Sequence, residues 1–507
     1  MGILDLFIIL GYLAAITAFG VWFARRQKTT EDYFVGGRNV PWWAVSASIV
    51  ATETSTITFI SVPGIVFAKN GNFEFLQVVF GYLLGRLVIS LIFIPLYFKG
   101  ELQTVYQLLG HRFGNKVKML ASSLFVVMRN LADGIRLLLT AIVLAAVYTA
   151  FVPDARPDLV IVASIIVLGA VMIVFTYYGG MEAVIWVEVV QLGIYIAGAV
   201  AAAFVIAGSV DGGLSQVAAV GRQFDKFSVF DFGFDLTKTF TFWAGIVGGC
   251  FLTMSTHGTD QYLVQRYLCT DRPSRAVAAL LTSGVVILGQ FVGFLFIGVL
   301  LFAFYAPYEA ASYAQAGVAG SGVPVTAPFA MGDQVFPDFI TKHMPSGLSG
   351  LVVAAIFAAA LSSSLNSIAA TTVNDLYRPF RPGASDRSVL RLSHWLTLLF
   401  GVIQIAVALL LIDQRRSALD QALSIASLIN GPVLGVFLVG VFLPKVRENA
   451  ALLAMLFSCL LMIYVRFFTP LAWTWYVLVG AGVTFLSAYI FGLLAGSKGS
   501  DPGDRME

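Results

Sequence analysis

About thirteen segments of this chain are apolar and long enough to cross a lipid bilayer, which takes roughly 20 apolar residues in a helix. They lie at roughly 3–23, 42–68, 74–98, 118–150, 158–177, 182–208, 239–262, 275–305, 348–377, 388–413, 418–443, 448–468 and 471–495. Only 12% of the residues are charged, and the mean hydropathy is +0.86, which does not suit a soluble domain. We therefore predict an all-α integral membrane protein in which residues 1–507 form one transmembrane domain.

The basic residues indicate how the chain is oriented in the membrane. If the N-terminus lies outside, the inner segments, which would include Arg266, hold about twice as many Lys and Arg as the outer ones, as expected of cytoplasmic loops. The first apolar segment has no basic leader, and Arg25, Arg26 and Lys28 follow it, which predicts an uncleaved span rather than a secretion signal. We expect the N-terminus outside, the C-terminus inside and a disordered tail over residues 497–507.

The second apolar segment is interrupted at its centre by the polar run Ala51-Thr52-Glu53-Thr54-Ser55-Thr56. Non-helical backbone at membrane depth is tolerated only where protein buries it or where it lines an aqueous cavity. In transporters, broken helices of this kind surround the substrate and the coupling ion. The run therefore predicts a break in the helix, and it favours a transport site over a simple kink.

A second interruption is predicted in the seventh apolar segment, which contains Gly248-Gly249-Cys250 and the polar run Thr253–Thr259. Its position five segments after the first break suits an inverted repeat with the binding site between the two units. The first unit would span about 42–208 and the second about 239–443. The alternative is an ordinary kinked helix whose Ser and Thr hydroxyls bond to its own backbone.

Three groups of ionisable residues fall inside predicted spans, where a charge is costly and is usually functional. Glu53 lies at the first break, and Glu188 lies in the sixth segment. Arg129, Asp133 and Arg136 are spaced i, i+4, i+7 and so share one helix face. A structural ion pair between Arg129 and Asp133 is as plausible as a functional role, whereas we expect Arg136 to bind an anionic or hydroxylated solute.

A run of small residues lies in the ninth segment, Ala358-Ala359-Ala360-Leu361-Ser362-Ser363-Ser364-Leu365-Asn366-Ser367. Small residues allow two helices to pack closely, which is one explanation of the run. The other is a sodium site, because hard cations prefer oxygen ligands. Serine hydroxyls that face the carbonyls of an unwound helix can supply such ligands. If the run lies opposite the first break, it predicts a sodium site.

Four stretches together resemble the sodium:solute symporter family, and they follow one another along nearly the whole chain. They are Thr30-Glu31-Asp32-Tyr33-Phe34-Val35-Gly36-Gly37-Arg38, Gly179-Gly180-Met181-Glu182-Ala183-Val184-Ile185-Trp186, Asp260-Gln261-Tyr262-Leu263-Val264-Gln265-Arg266-Tyr267 and the run Ser362–Ser367. The resemblance implies a LeuT-type inverted repeat of five plus five helices, with one span before the repeats and two after them. Within the family, the chain is most similar in appearance to the bacterial sialic acid transporters.

The resemblance also implies positions for sodium. The main site would use backbone oxygens of Ala51, Thr54 and Ile356, but its two hydroxyl ligands fall on Ala359 and Ala360, which have none. Either the ligands shift by one turn to Ala359, Ser362 and Ser363, or the site is weakened. A second sodium site would use Ser362, Ser363 and Glu188, where a Glu replaces the family's Asp.

The substrate pocket implied by the resemblance contains Ser55, Thr56, Thr58, Phe73, Gln77 and Arg136. Glu53 stands where the family has a neutral hydroxyl residue, and its charge would repel an acidic sugar unless Arg136 or a cation neutralised it. Sialic acid, a neutral sugar, another carboxylate and an amino-acid-like solute all remain candidates.

We predict a sodium-coupled symporter of a small organic solute in the cell inner membrane, which works by alternating access. Proton coupling through Glu53 or Glu188 is one alternative, and a transporter-like sensor or channel is another. A serine protease built on Gly347-Leu348-Ser349-Gly350 is a less favoured alternative, and we expect no enzymatic activity. The chain has no phosphate-binding Gly-Lys-Ser/Thr loop that would indicate ATP, and its net charge of +3 does not indicate nucleic acid.

Overall fold

The computed structural model describes residues 2–23, 30–54, 56–68, 70–100, 102–152, 154–315, 332–361, 364–412 and 418–494. Within these ranges the chain forms helices joined by turns, with no strand. The predicted all-α membrane fold is confirmed. Ser55, Ser362, Ser363 and the predicted tail over 497–507 lie outside the described residues.

The described part of the first half of the chain forms nine α-helices. They are α1 (Ile3–Phe23), α2 (Thr30–Val35), α3 (Trp42–Glu53), α4 (Thr56–Phe67), α5 (Leu76–Tyr97), α6 (Tyr106–Arg112), α7 (Asn115–Phe151), α8 (Pro157–Ser209) and α9 (Gly213–Gln223). Gly180 has φ 60° and divides α8 into two apolar spans, Pro157–Val174 and Gly180–Ser209. A positive φ suits glycine because it has no Cβ, so the predicted boundary between the fifth and sixth segments is confirmed.

The described part of the second half adds ten α-helices. They are α10 (Gly249–Gly258), α11 (Gln261–Leu268), α12 (Pro273–Gln315), α13 (Val335–Lys342), α14 (Leu348–Leu361), α15 (Leu365–Thr371), α16 (Asp386–Leu410), α17 (Ala418–Phe442), α18 (Glu448–Phe468) and α19 (Tyr476–Leu494). The chain also has two π-helical turns. One, Ala244–Gly248, directly precedes α10, and the other, Thr372–Tyr377, directly follows α15. The predicted ninth span is thus divided between α14 and α15, and Ser364 precedes α15.

Eight helices in the described ranges are long and apolar enough to cross a membrane, and the bent pair α3 and α4 would make a ninth. Shorter apolar helices lie at Ile3–Ile16, Leu348–Phe357 and Ala426–Phe442. Large apolar side chains such as Leu91, Phe204 and Leu410 are at least 75% exposed, as expected of a surface that faces lipid tails. The total of about thirteen spans and the N-out, C-in orientation stay predictions.

The first predicted break is confirmed. Helix α3 ends at Glu53 and α4 begins at Thr56, and the two halves of the span are bent by 55°. Thr54 leaves helical geometry, with φ −77° and ψ 73°, while its amide still bonds to the carbonyl of Val50 at 2.9 Å.

The second break lies at the end of the predicted polar run, at Thr259, and not at Gly248 and Gly249. The chain is continuously helical from the π-helical turn through Gly258, and it leaves the helix at Thr259 and Asp260 before α11 begins. The glycines here serve close packing instead, because a Cβ on Gly249 would lie 2.5 Å from the Val78 carbonyl oxygen on α5. Hydroxyls of the polar run bond back to the helix, as Thr256 does to the Leu252 carbonyl at 3.1 Å.

Candidate functional site

The first break is held in place by hydroxyl groups. The Thr54 hydroxyl donates to the Val50 carbonyl at 2.7 Å, and the Thr58 hydroxyl donates to the Glu53 carbonyl at 3.1 Å. Gln290 on α12 donates its Nε2 to Thr54 Oγ1 at 2.6 Å. Backbone groups that the helix leaves unpaired must find partners in a membrane, so these contacts explain why the break is stable at this position.

Glu53 is the acidic group of the first break, and it is paired twice. Its Oε2 lies 2.5 Å from Arg86 Nη2 on α5, and its Oε1 lies 2.8 Å from His257 Nε2 on α10. The Arg86 side chain is 1% exposed, and that of Glu53 is 13% exposed. The three residues therefore join three helices through one charge-balanced cluster beside the break.

Arg129, Asp133 and Arg136 do share one face of α7, as predicted from their spacing. Arg129 Nη1 lies 3.9 Å and Arg136 Nη1 lies 3.6 Å from Asp133 Oδ1. Arg129 forms a closer ion pair with Asp260, since its Nη2 lies 2.5 Å from Asp260 Oδ2. Asp260 also caps α11, because its Oδ1 accepts the Tyr262 amide at 2.8 Å. The ion pair between neighbours on α7 is thus secondary to one that joins α7 to the second break.

The Tyr262 ring on α11 lies among three guanidinium groups. Arg129 and Arg266 stand 4.5 and 4.6 Å from the ring centroid, and Arg136 stands 5.9 Å from it. Arg136 Nη1 is also 3.4 Å from the Tyr262 hydroxyl. Cations over the face of an aromatic ring are attracted by its quadrupole, so Tyr262 holds the face of α7 that bears Arg129 and Arg136 against α11.

Asp133 also connects α7 to the interrupted ninth span. Its Oδ2 accepts a hydrogen bond from the hydroxyl of Ser364. The expected sodium ligands Ser362 and Ser363 precede this residue directly but lie outside the described ranges. The contact brings the polar face of α7 next to the end of the serine run.

Glu188 is paired with Arg266, both side chains being at most 1% exposed. Arg266 Nη2 lies 2.5 Å from Glu188 Oε1, and Thr52 donates to the same oxygen at 3.0 Å. Ser48 donates to Glu188 Oε2. We predicted Arg266 in an inner segment, and the structure places it fully buried in α11.

The remaining expected sodium positions lie near the first break. Ala51 and Ile356 are both fully buried and belong to one continuous hydrophobic cluster, and α14 packs against α4. Ala359 lies in the last turn of α14. The helix that follows the first break, α4, is therefore in contact with the first half of the ninth span. The roles of these residues as ligands stay predictions.

Phe73 and Gln77 lie beneath the loop that precedes the π-helical turn at Ala244. Gln77 is fully buried, its Nε2 donates to the Phe240 carbonyl at 3.3 Å, and its Oε1 accepts the Asp231 amide at 3.1 Å. The Phe73 amide donates to the Ser228 carbonyl at 2.9 Å. Both residues thus hold a loop over α5, and their expected contacts with a solute stay predictions.

We did not predict from the sequence that four charged or titratable residues belong to the site: Arg86, His257, Asp260 and Arg266. A signal existed for Arg86, which is a lone arginine within an apolar span, and such a residue needs a partner. His257 and Asp260 belong to the polar stretch of the seventh segment. Sequence spacing could not pair any of them, since each partner is on another helix.

Comparisons with known proteins agree with this architecture. A model of the sodium:solute symporter family matches residues 33–458. The sodium/sialic acid symporter NanT of Aliivibrio fischeri is 31% identical over 494 residues, which are 96% of this chain and 93% of that protein. The chain belongs to the sodium:solute symporter family. The sodium/sialic acid symporter SiaT of Proteus mirabilis is 29% identical over 95% of this chain and 93% of its own length.

Solved structures support the same fold. A Na⁺-coupled sialic acid symporter in a substrate-bound, outward-open state superposes with a TM-score of 0.83 and 28% identity, covering 97% of this chain and 98% of its own. Mhp1, a nucleobase-cation-symport-1 family transporter, gives a TM-score of 0.54 at 12% identity, over 93% of this chain and 97% of its own, and so supports the fold alone. The expected LeuT-type fold is confirmed.

Membership of this family confirms that the protein is a secondary transporter of the cell membrane, with Na⁺ as its coupling ion and a small solute as its cargo. The protease alternative is wrong. The residues that suggested it have a structural role instead, since the Ser349 hydroxyl and the Gly347 and Gly350 amides all donate to Asp5 Oδ1 on α1.

Proposed function

We propose that this sodium symporter takes up a small carboxylate-bearing sugar of the sialic acid kind and binds its carboxylate at Arg136. Two relatives that cover nearly the whole chain are named sodium/sialic acid symporters. Arg136 lies deep in α7, on the face that meets Tyr262 and the second break. Planar guanidinium groups bind carboxylates in a two-pronged geometry, which makes arginine suited to this role.

The observation that carries the proposal is the pairing of Glu53. A negative charge at the first break would repel a carboxylate, and it was the main objection to an acidic sugar. Arg86 Nη2 at 2.5 Å supplies the missing counter-charge from the protein itself, and His257 Nε2 lies 2.8 Å from the other carboxylate oxygen. The pocket can then accept a carboxylate without an unpaired acid beside it.

For the coupling ion we propose ligands around the first break and the serine run. The backbone oxygens of Ala51, Thr54 and Ile356, with the hydroxyls of Ser362 and Ser363, would coordinate one sodium ion. This set supplies hard oxygen donors with little net charge, as a monovalent cation requires. The pairing of Glu188 with Arg266 means that any sodium ion at Glu188 would share that carboxylate with a guanidinium.

Uptake into proteoliposomes under an inward sodium gradient tests the solute class. N-acetylneuraminic acid and its uncharged methyl ester differ only at the carboxylate. We expect sodium-driven uptake of the acid, little uptake of the ester, and competition by other sugar acids rather than by neutral hexoses. Equal uptake of acid and ester would show that no cation recognises the carboxylate.

The matched variants are Arg136→Gln and Arg136→Lys. Loss of the guanidinium should raise the KM for the acid at least tenfold, which corresponds to about 1.4 kcal/mol of binding, and lysine should restore part of it. The ester should bind equally to both variants. Unchanged kinetics of Arg136→Gln for the acid would remove Arg136 from the pocket.

A further inference from the structure

Residues 228–243, the aromatic strap, lie between α9 and the π-helical turn that precedes α10. Along residues 230–236 large apolar residues alternate with aspartate or glycine, and up to residue 235 the chain forms neither helix nor turn. The apolar residues of this stretch are all exposed: Phe230, Phe232, Phe234 and Leu236. Phe232 and Phe234 are 65% and 72% exposed. A patch of this kind is rare on a surface that faces water, so it indicates a contact with another apolar phase.

The aromatic strap continues the lipid-facing surface of α5. On that helix Phe80, Leu84, Leu87 and Leu91 are spaced i, i+4, i+7 and i+11, so they form one stripe along the helix. The three leucines are exposed, and in a membrane span such side chains face lipid tails. The Phe80 ring stacks on that of Phe230, with 6.1 Å between the ring centroids. The patch on the strap thus begins where the leucine stripe ends.

The rings of the strap pack against one another as one layer. The centroid distance is 5.7 Å between Phe230 and Phe232, 5.0 Å between Phe232 and Phe242, and 5.3 Å between Phe242 and Trp243. Trp243 is itself exposed. Tryptophan is enriched where the acyl chains of a bilayer meet its headgroups, so Trp243 indicates the depth at which this layer lies.

Several backbone groups of the strap are paired with other parts of the protein. The Asp231 amide donates to Gln77 Oε1 at 3.1 Å, and the Asp231 carbonyl accepts the Phe242 amide at 2.6 Å. The Leu236 carbonyl accepts the Ala472 amide at 2.9 Å. Irregular backbone is not tolerated at the centre of a bilayer when it faces lipid. A strap with this degree of pairing suits the boundary between acyl chains and headgroups.

The polar residues of the alternating stretch serve the backbone and the headgroup layer. Asp231 Oδ1 accepts the Gly233 amide at 2.8 Å, and Asp235 Oδ1 accepts the Thr237 amide at 2.8 Å. Aspartate side chains commonly bond to the amide two residues on. Lys238 Nζ lies 3.7 Å from Asp231 Oδ2, and the Lys238 side chain is exposed. The charges are thus paired or open to the headgroups, and the rings remain free for lipid.

We propose that the aromatic strap is inserted into the lipid leaflet on the side that we predict to be outer. The rings of Phe232 and Phe234 lie among the acyl chains, and Lys238 lies among the headgroups. Continuity with the leucine stripe of α5 favours lipid over a second copy of the chain as the partner of this surface. Because Gln77 bonds to the rear of the strap, the insertion ties the start of α5 to the surface of the bilayer.

Spin labels on single cysteines test the insertion in vesicles of phosphatidylethanolamine and phosphatidylglycerol. The three native cysteines are first replaced by alanine: Cys250, Cys269 and Cys459. Labels at Phe232→Cys and Phe234→Cys should collide more with oxygen, which dissolves in lipid, than with a water-soluble nickel chelate. Leu91→Cys is the reference for lipid. Lys238→Cys, in the same strap, is the matched control and should show the opposite preference. Sodium-driven uptake by each labelled variant shows that it is folded.

Two results would overturn the proposal. Nickel collisions as frequent at Phe232→Cys and Phe234→Cys as at Lys238→Cys would place the strap in water. Labels that neither reagent reaches, with dipolar broadening between them, would show that a second copy of the chain covers the patch. Neither reading depends on which solute is carried.

The bond between the strap and α5 has its own readout. Gln77→Ala should make the label at Phe234→Cys more mobile, because the rear of the strap loses its bonds to α5. The preference of that label for oxygen should remain, since the rings still lie in lipid. Unchanged mobility of the label would show that Gln77 does not hold the strap.

Discussion

Glu188 on α8 and Arg266 on α11 form a fully buried ion pair, with Oε1 and Nη2 separated by 2.5 Å. Ser48 and Thr52 on α3 donate to the same carboxylate. The pair therefore joins the half-helices before the first break and after the second break to α8. These contacts link the two broken spans at one position, and Arg266 neutralises the charge of Glu188 inside the protein.

Removing one member of this pair should be costly. We expect Arg266→Met to destabilise the fold by about 3–5 kcal/mol, because it leaves Glu188 buried without a counter-charge. The melting temperature of the detergent-purified protein measures this. The double variant Glu188→Leu with Arg266→Met should recover much of the loss, and a double variant as unstable as the single one would contradict a buried ion pair between these residues.

Glu188 is also one of the predicted sodium ligands. If the sodium dependence of uptake were unchanged in Glu188→Gln, Glu188 would not be a sodium ligand.

The Glu53 and Arg86 pair should control which charge a solute can carry. Arg86→Gln leaves the carboxylate with His257 alone, and we expect it to weaken binding of an acidic solute by about 2–5 kcal/mol. Tryptophan fluorescence or isothermal titration with the solute measures the dissociation constant. Glu53→Gln combined with Arg86→Gln should bind the acid better than Arg86→Gln alone. Equal affinities of these two variants would separate the cluster from solute binding.

Asp5 should stabilise the start of α14 from a different helix. Its carboxylate accepts the Gly347 and Gly350 amides, each at 2.7 Å, at the positive end of the helix. Replacing Asp5 by Ala should cost about 0.5–2 kcal/mol, as the loss of a helix cap does. Asp5→Asn keeps an acceptor oxygen and should lose less in the same thermal unfolding assay. Equal losses in the two variants would mean that the packing of α1, rather than capping, sets the effect.

The glycines before the second break should be needed for packing rather than for bending. A Cβ on Gly249 would lie 2.5 Å from the Val78 carbonyl oxygen, so Gly249→Ala forces α5 and α10 apart. We expect a loss of about 1–3 kcal/mol in thermal stability, as for overpacked interiors. Gly289→Ala on α12 is the control, because an added Cβ there meets nothing within 4 Å. Normal stability of Gly249→Ala would restore the hinge interpretation.

Much of the fold was predictable because the membrane constrains a sequence strongly. Apolar length alone located α1 at 3–23 and α18 at 448–468, with the same bounds as in the structure. The polar run at Ala51–Thr56 located the first break, since six polar or small residues have no place in a helix that faces lipid. For the second break, the polar run reached the right position at Thr259, whereas Gly248 and Gly249 misled because such glycines can signal either a hinge or close packing. Only the neighbouring helix α5 decides between the two.

The sequence by itself determined the helical class, the approximate spans, the first break and the family, because hydropathy and short motifs are local properties of the chain. The tertiary structure decided which charges meet. Arg86 is 33 residues from Glu53, and Arg266 is 78 residues from Glu188, so no helical period relates either pair. Their contacts depend on how the helices pack, and that packing places Arg86 and His257 against the carboxylate of Glu53.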